Sequence, residues 1–247
     1  MSATRFFVPG VHSVDETISL APDDARKLVV VLRKRSGDAL EIRDSSGTLF
    51  SAELIVEGER GREHVRAHLL TIRETPSRDE CEIILAQGIP KGAKMDFAIE
   101  KGTELGIAGF IPLLTERTIP TIEPAKLERW RRLARAAAAQ CGRERIPFVH
   151  EPTSLAGLLS APEGYDAILM PWELEEPVPL REVLPGLVEG ARRILLLIGP
   201  EGGFSEDEVA FAREHGARTL SLGRRILRTE TAGAVCAALI RYARGEC

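Results

Sequence analysis

LLLIGPEGGFSEDE, residues 195–208, joins a short apolar run to a turn with three glycines and a proline, and then to a helix start. The apolar run is typical of a buried strand, and Ser205 and Glu208 have the spacing of a capping box at a helix N-terminus. Glycines in the turn allow the backbone to approach a ligand closely. Open α/β sheets bind their ligands at the carboxyl ends of their strands, so this stretch predicts an α/β fold with a ligand loop at residues 199–203.

A second turn of the same kind lies at residues 222–232, which read LGRRILRTETA. An apolar strand again ends in a glycine turn that leads to a helix. The turn contains three arginines and a glutamate flanked by threonines, which is more charge than a plain connection needs. We therefore interpret the two turns together as one binding site.

The pattern from residue 80 onward alternates strands with helices, which predicts a parallel sheet with crossover helices. By itself this pattern indicates a plain doubly wound sheet. The predicted strands are 83–87, 110–114, 167–170, 193–198 and 219–222. The predicted helices are 95–105, 125–141, 206–215 and 231–243.

Residues 1–73 instead predict a small β-rich domain. Strands at 40–43 and 49–54 flank a turn at 44–47, which is a hairpin signal, and a further strand is predicted at 65–73. A short helix is predicted at 23–35. Residues 74–79 are polar and contain a proline, so they predict a linker, and 74–247 form the second predicted domain.

The composition is that of an ordinary soluble protein, with 44% hydrophobic and 28% charged residues among 247. No apolar run has the length of a membrane span and no signal peptide is apparent, so we expect a cytoplasmic protein without a membrane partner. The four cysteines are widely spaced, and we expect them to be reduced thiols: Cys81, Cys141, Cys236 and Cys247.

The charges are unevenly distributed along the chain. The net charge of −4 argues against a protein that coats nucleic acid indiscriminately. However, residues 117–149 contain eight basic residues (Lys or Arg) and three acidic residues (Asp or Glu). Residues 150–215 contain four basic and thirteen acidic residues. The basic segment is suited to phosphates, although a solvated helix face is the alternative for any single cluster.

The two turns resemble those of the SPOUT class of S-adenosylmethionine-dependent RNA methyltransferases. Within that class, the sequence is similar to the ribosomal RNA small subunit methyltransferase E family, which methylates N3 of a uridine in 16S ribosomal RNA. Further matches occur in the family's order, so that the resemblance covers nearly the whole chain. They are residues 91–96, 100–106, 115–117 and 139–143.

The resemblance implies a C-terminal SPOUT domain with a trefoil knot, whose loops form the S-adenosylmethionine pocket, and an N-terminal PUA-like β-barrel that helps to bind RNA. It also implies a homodimer that completes the active site, and 16S ribosomal RNA or the 30S subunit as a partner. Alanines and a cysteine lie on several faces of the 231–243 helix. This is more small apolar surface than a solvent-facing helix needs, which favours the same dimer.

The cofactor contacts that we predict come from both turns. They are Ile198, Gly199, Glu201, Gly202, Gly203, Leu222, Gly223, Ile226, Leu227, Thr231 and Ala232. The turn backbones offer close contacts, and the apolar side chains offer walls for an adenine. For Glu201 two roles stay open, because a carboxylate there either contacts the cofactor or favours the N-terminus of the helix that follows.

Methylation at N3 sets the requirements for the catalytic residues. Uridine N3 carries a proton and is a poor nucleophile until that proton is lost or shared, so the site needs to stabilise a uracil anion, supply a base, or both. Arg228 is the leading candidate to offset charge on the uracil oxygens or to fix a flanking phosphate. Glu230 is the nearest carboxylate; accepting the proton, holding Arg228 and capping the last helix are its three open roles.

The predicted RNA contacts are all basic. They are Arg5, Arg33, Arg35, Lys91, Lys94, Arg117 and Arg143. For Lys91 and Lys94, a cofactor contact or a plain surface position is the alternative. His64 and His68 lie in a predicted strand with no cysteine or carboxylate cluster nearby, so no metal site is predicted.

Two other functions stay open. The first is a SPOUT methyltransferase that acts on another RNA, for instance by 2′-O-methylation of tRNA. The second is a catalytically silent RNA-binding factor in ribosome assembly that has kept the fold. A Rossmann dehydrogenase is not favoured, because no G-x-G-x-x-G motif follows the first strand of the second domain.

Overall fold

A computed structural model describes residues 5–58, 64–75, 81–118, 123–160, 164–176 and 178–246. The chain divides into two units, of which the first comprises Met1–Arg78 with Ala138–Ile146 and the second Asp79–Ala137 with Pro147–Cys247. Most of the predicted linker at 74–79 lies outside the described residues, as does Cys247.

The first unit is built on a five-stranded sheet. Its strands are β1 (Arg5–Phe7), β2 (Thr17–Ser19), β3 (Ala39–Arg43), β4 (Leu49–Glu57) and β5 (His64–Glu74), in the order β1-β3-β4-β5-β2. β1 pairs with β3 in parallel, and the other neighbours are antiparallel. The predicted hairpin between β3 and β4 is confirmed. In its turn, Gly47 has a φ of 92° and its N–H donates to Asp44 O at 3.1 Å.

The predicted helix at 23–35 is confirmed only in part. Helix α1 (Pro22–Arg26) continues as one π-helical turn, Lys27–Val31, and the backbone then leaves the helix, with a left-handed φ of 54° at Arg33. The turn contains three successive valines, whose branched side chains crowd the preceding turn of an α-helix. The prediction is therefore wrong beyond residue 31.

The second unit has the predicted α/β architecture. Its strands are β6 (Glu82–Gly88), β7 (Ile107–Leu114), β8 (Phe148–Val149), β9 (Thr153–Ser154), β10 (Ala167–Pro171), β11 (Arg193–Ile198) and β12 (Ala217–Leu220). The helices of this part of the chain are α2 (Lys94–Glu104), α3 (Pro124–Cys141), α4 (Leu155–Leu159), α5 (Leu180–Val188), α6 (Glu206–Glu214) and α7 (Thr229–Ala243). The strand order is β12-β10-β11-β6-β7-β8, β9 also pairs with β7, and the pairings are parallel.

The central strand β11 shows why its sequence is apolar throughout. Ile194 and Leu196 belong to a hydrophobic cluster on one side of the sheet, and Leu195 and Leu197 belong to a separate cluster on the other. A parallel sheet is covered on both faces, so a strand in its centre has no solvent-facing side for polar residues.

Element boundaries near the predicted site differ from the sequence prediction. β12 begins at Ala217 and ends at Leu220, whereas the prediction was 219–222, and α7 begins at Thr229 rather than at residue 231. The segment between them is consequently free of regular structure over residues 221–228. The capping box of α6 is confirmed, since Ser205 Oγ accepts from Glu208 N–H at 3.3 Å and Glu208 Oε2 accepts from Ser205 N–H at 3.0 Å.

The small residues of α7 are largely covered by the chain itself. Ala232, Gly233, Cys236 and Ala237 are buried, and α7 contacts α2 and α5 within the same unit. Burial raises the pKa of the Cys236 thiol to about 12, so the thiol is protonated at neutral pH. This face therefore does not supply the free surface on which the predicted dimer depends.

None of the helices in the described ranges has both the length and the apolar character of a membrane span.

Candidate active site

The two glycine turns line one cavity at the carboxyl ends of β10, β11 and β12. Its volume is about 490 Å³, within the range of about 300–1,000 Å³ that is usual for small-molecule sites. The predicted cofactor residues that line it are Ile198, Gly199, Glu201, Gly203, Leu222, Gly223, Ile226, Leu227 and Ala232, and both catalytic candidates line it as well. The sheet thus brings together two turns that are separated by about 20 residues in the sequence.

Two of the predicted cofactor residues, Gly202 and Thr231, lie outside the cavity lining. Gly202 is adjacent to Arg117, because a Cβ on Gly202 would lie 3.0 Å from Arg117 Cδ, and the Arg117 guanidinium donates to Gly202 O. Thr231 lies in the first turn of α7, where its N–H donates to Arg228 O at 2.9 Å.

Gly203 is the point at which the first turn requires glycine. Its φ is 68°, in the left-handed region that side chains other than glycine rarely adopt, and a Cβ there would lie 2.2 Å from Glu173 Oε1. The absence of a side chain lets the Glu173 carboxylate lie against the backbone of the turn. Glu173 also lines the cavity, so the turn and the segment after β10 form adjoining walls.

That segment after β10 was missed by the sequence analysis. Trp172, Glu173 and Glu175 line the cavity directly after the strand ends at Pro171. Hydrogen bonding to Thr219, together with the Arg213 guanidinium, which forms an ion pair with Glu175 at 2.6 Å, lowers the pKa of the Glu175 carboxyl. The sequence feature that could have predicted this wall is the group of glutamates at 173–176, which follows the predicted strand 167–170. The carboxyl end of that strand lies at the same sheet edge as the two glycine turns.

Arg228 and Glu230 differ sharply in exposure. The Arg228 side chain is 83% exposed and its guanidinium lies 4.0 Å from Glu230 Oε1, whereas the Glu230 side chain is only 14% exposed. Glu230 Oε2 is buried and receives no hydrogen bond from any of the described residues. An ion pair with such an exposed partner contributes about 0–1 kcal/mol, so Arg228 is only weakly held.

Glu201 is held by lysines rather than by a helix end. Its Oε1 accepts from Lys94 Nζ at 2.7 Å and from Lys91 N–H at 3.0 Å. Partial burial acts to raise the pKa of Glu201, but the hydrogen bonds from Lys94 and Lys91 outweigh it, and the pKa is lowered. Lys94 lines the cavity with Glu201. Glu201 therefore lies at the cavity, and its contact with the cofactor stays a prediction.

The basic residues predicted to contact RNA are divided between the units. Arg5, Arg33, Arg35 and Arg143 belong to the first unit, and the other three to the second. Arg5 is engaged within its own unit, since its guanidinium donates to Gly142 O at 2.7 Å and to Glu41 Oε2 at 3.1 Å. The side chain of Arg5 is 22% exposed, so a structural role explains it without RNA.

Comparison with known proteins identifies the family. A model of the RNA methyltransferase domain matches residues 77–241. Ribosomal RNA small subunit methyltransferase E of Bacillus subtilis is 31% identical over 92% of this chain and 90% of its own length. The chain belongs to the ribosomal RNA small subunit methyltransferase E family. It is therefore an RNA methyltransferase, and the resemblance found in the motifs is confirmed.

Solved structures extend the likeness to the fold. A ribosomal RNA small subunit methyltransferase E from Neisseria gonorrhoeae, bound to S-adenosylmethionine, has a TM-score of 0.83 at 30% identity and covers 98% of both chains. A Legionella pneumophila protein in complex with the same cofactor has a TM-score of 0.87 at 29% identity and covers 99% of both chains. The α/β fold is thus shared over the whole length.

Proposed function

We propose that this enzyme binds S-adenosylmethionine in the cavity at the ends of β10, β11 and β12 and methylates N3 of a uridine in 16S ribosomal RNA. The observation that carries the proposal is the convergence of both glycine turns, Arg228 and Glu230 on one cavity. The relatives described above support the substrate, since their names specify ribosomal RNA of the small subunit. The place of action is then the cytoplasm, with the ribosomal RNA or the 30S subunit as partner.

The residues of the cavity fit the cofactor. The volume of the cavity suits a nucleoside. Trp172 Nε1 and Glu230 Oε2 belong to lining residues, are buried, and have no hydrogen-bonding partner among the described residues. Buried polar atoms in native proteins are nearly always satisfied, so a donor and an acceptor left over in one cavity indicate a polar ligand. Leu222 and Leu227 offer apolar walls beside them.

For this reaction the protein has to bind and orient the two reactants and to accept the proton of uridine N3. When bound, S-adenosylmethionine supplies an electrophilic methyl group. The two turns hold the reacting partners in a fixed geometry, which is the main source of rate enhancement for such a transfer. Glu230 Oε2, buried and unpaired, is suited to accept the proton of uridine N3. Arg228, exposed at the cavity, is suited to offset negative charge on the uracil oxygens.

The structure favours the acceptor role of Glu230 over its alternatives. The cap position of α7 is Arg228, which makes no side-chain cap hydrogen bond, and Glu230 follows in the first turn. The 4.0 Å pair with Arg228 engages only Oε1. Oε2 is thereby left for a ligand, which supports its use as the base.

Mass spectrometry of modified nucleosides tests the function directly. Incubation of S-adenosylmethionine with 16S ribosomal RNA or with 30S subunits should produce 3-methyluridine. A methyl group found only on tRNA, or on a ribose 2′ oxygen, would replace the proposal with the second SPOUT function. Cofactor binding in calorimetry without any methylation would support a silent assembly factor.

We infer that the enzyme also has the finer architecture of its class: a trefoil knot in the second unit, a PUA-like RNA-binding barrel in the first, and a homodimer. The close approach of the two turns supports the knot, and the five-stranded sheet supports the barrel. For the dimer, α7 has a row of half-exposed and exposed residues at Val235, Ala238 and Tyr242, of which Tyr242 is 77% exposed. A monomeric mass in light scattering at micromolar concentration would contradict the dimer.

A further inference from the structure

A partly buried chain of hydrogen bonds joins the ends of β6 and β11 to the start of α7. Gln87 Nε2 donates to Thr229 Oγ1 at 2.7 Å, and Thr229 Oγ1 donates to Gly199 O at 2.5 Å. Gln87 Nε2 also lies 3.2 Å from Gly88 O and 3.4 Å from Gly199 O. We call this chain the Gln87–Thr229–Gly199 link.

The link connects the two parts of the proposed active site. Gly199 is the first residue of the first glycine turn, and Thr229 stands between Arg228 and Glu230 in the sequence. The hydrogen bond from Thr229 to Gly199 therefore joins the first glycine turn to the segment that carries the two catalytic candidates. Gln87 has a side chain with 0% exposure and makes no contribution to the cavity lining.

The hydrogen bonds that the Gln87 side chain makes to described residues all come from its amide nitrogen. Gln87 Oε1 is buried and accepts no hydrogen bond from the described part of the chain. An unpaired buried carbonyl destabilises the folded state, and a leucine or methionine would fill the same core position without that penalty. The amide therefore serves through Nε2, which is the end that reaches Thr229. Gln87 is fully buried, whereas Thr229 and Gly199 line the cavity, and hydrogen-bond networks with buried members make their surroundings rigid.

We propose that Gln87 and Thr229 are positioning residues, which hold the first glycine turn and the start of α7 at the spacing that methyl transfer requires. The inference rests on the proposed function for its catalytic consequence. Its structural part, a rigid connection between the two turns, concerns the protein without any ligand and is tested separately.

Thr229→Val is the informative change, because valine keeps the branched shape and removes only the hydroxyl. It removes the two short hydrogen bonds made by Thr229 Oγ1 and leaves only the longer contacts of Gln87 Nε2 with Gly88 O and Gly199 O. Thr229→Ser restores the hydroxyl and serves as the rescue. The matched control is Thr103→Val, because Thr103 is fully buried and its hydroxyl donates to Ile99 O at 2.7 Å, within α2 and outside the cavity lining.

The first readout is the single-turnover rate of methyl transfer at saturating cofactor and RNA. We expect Thr229→Val to lower it by about tenfold or more, since small displacements of reacting groups have large effects on rate. Thr229→Ser should be close to wild type. Thr103→Val, which removes a comparable hydrogen bond elsewhere, should lose thermal stability but keep its rate once cofactor and RNA are saturating.

The second readout is amide hydrogen exchange of the protein alone. In Thr229→Val the amides of residues 201–204 and 229–232 should exchange faster, because the local opening that exposes them becomes easier, whereas Thr103→Val should leave them unchanged. Wild-type exchange at these amides in Thr229→Val would overturn the link, as would a wild-type transfer rate. If the wild-type protein transfers no methyl group, the proposed function fails, and the exchange result still decides the structural part. Should Thr229→Val not fold, Gln87→Met removes the donor at the other end and is judged by the same two readouts.

Discussion

Replacement of Gly88 by alanine should push the first glycine turn out of place. Gly88 is the last residue of β6, and a Cβ there would lie 2.5 Å from Pro200 N, 2.6 Å from Pro200 Cδ and 2.8 Å from Gly199 C. Non-bonded carbon atoms approach to about 3.5–4.0 Å, so β6 and the turn would have to separate by about 1 Å. The crowded atoms belong to the backbone and to a proline ring, so no rotation of a flexible side chain relieves the contact.

The expected magnitude follows from the usual effect of overpacking, which destabilises a well-packed site by about 1–3 kcal/mol. For a protein of this size, 1 kcal/mol corresponds to about 2–4 °C in Tm, so Gly88→Ala should lower Tm by about 2–12 °C. The displaced turn forms part of the cavity wall. If restoring it on binding requires the same 1–3 kcal/mol, the affinity for S-adenosylmethionine should fall by about 5- to 150-fold.

Titration calorimetry with S-adenosylmethionine and a thermal melt of the same preparation provide the assay. Gly186→Ala is the matched control, because a Cβ on Gly186, inside α5, would have open space around it among the described residues. Alanine in a helix interior is favoured over glycine by about 0.5–1 kcal/mol, so this variant should keep its affinity and gain slightly in Tm. Wild-type cofactor affinity in Gly88→Ala would refute the idea that the contact between β6 and the turn shapes the cavity.

Three further outcomes are expected. Arg228→Ala should lower the single-turnover rate by orders of magnitude with little change in cofactor affinity, and Arg228→Lys should recover only part of it, because an ammonium lacks the planar fork; equal rates would make Arg228 a bystander. Gly202→Ala should displace only the flexible Arg117 side chain and keep cofactor affinity in calorimetry; lost binding would return Gly202 to the cofactor site. Hydrogen bonds from the N–H groups of Arg193 and Arg192, both 2.8 Å, lower the pKa of Asp166. The stability that Asp166 contributes is therefore present above its unfolded-state pKa and is lost as pH falls through the lower folded-state pKa, so Asp166→Asn should flatten the acid end of a plot of Tm against pH.

The two turns were within reach of sequence reasoning because their signals are local. Glycine after an apolar run, and Ser205 three residues before Glu208, specify a strand end and a helix start without knowledge of any distant contact. The parallel sheet then places both turns at the same edge. Local sequence patterns and their order along the chain were therefore sufficient to predict that the two turns lie at the same edge of the sheet.

The contacts that complete the site were out of reach because they depend on strand order. β10 lies between β11 and β12, and only this arrangement brings Glu173 against Gly203. Gln87 meets Thr229 across a separation of 142 residues, and Arg5 meets Gly142 across 137. Nothing in the neighbourhood of these residues in the sequence distinguishes them from a core glutamine or a surface arginine.

The acidic first turn of α6 has a consequence for the anions that this helix end can bind. A glycine-rich turn that leads into a helix is also the arrangement with which many proteins grip the phosphates of ATP or of dinucleotides, through the positive end of the helix. Here the first turn of α6 contains Glu206, Asp207 and Glu208. The Glu208 carboxylate also accepts a hydrogen bond from the Ser205 N–H. A triphosphate approaching this helix meets three carboxylates, whereas a sulfonium ion meets no such repulsion. The glycine turn after β11 therefore lacks the electrostatic attraction for phosphates that a helix N-terminus usually provides.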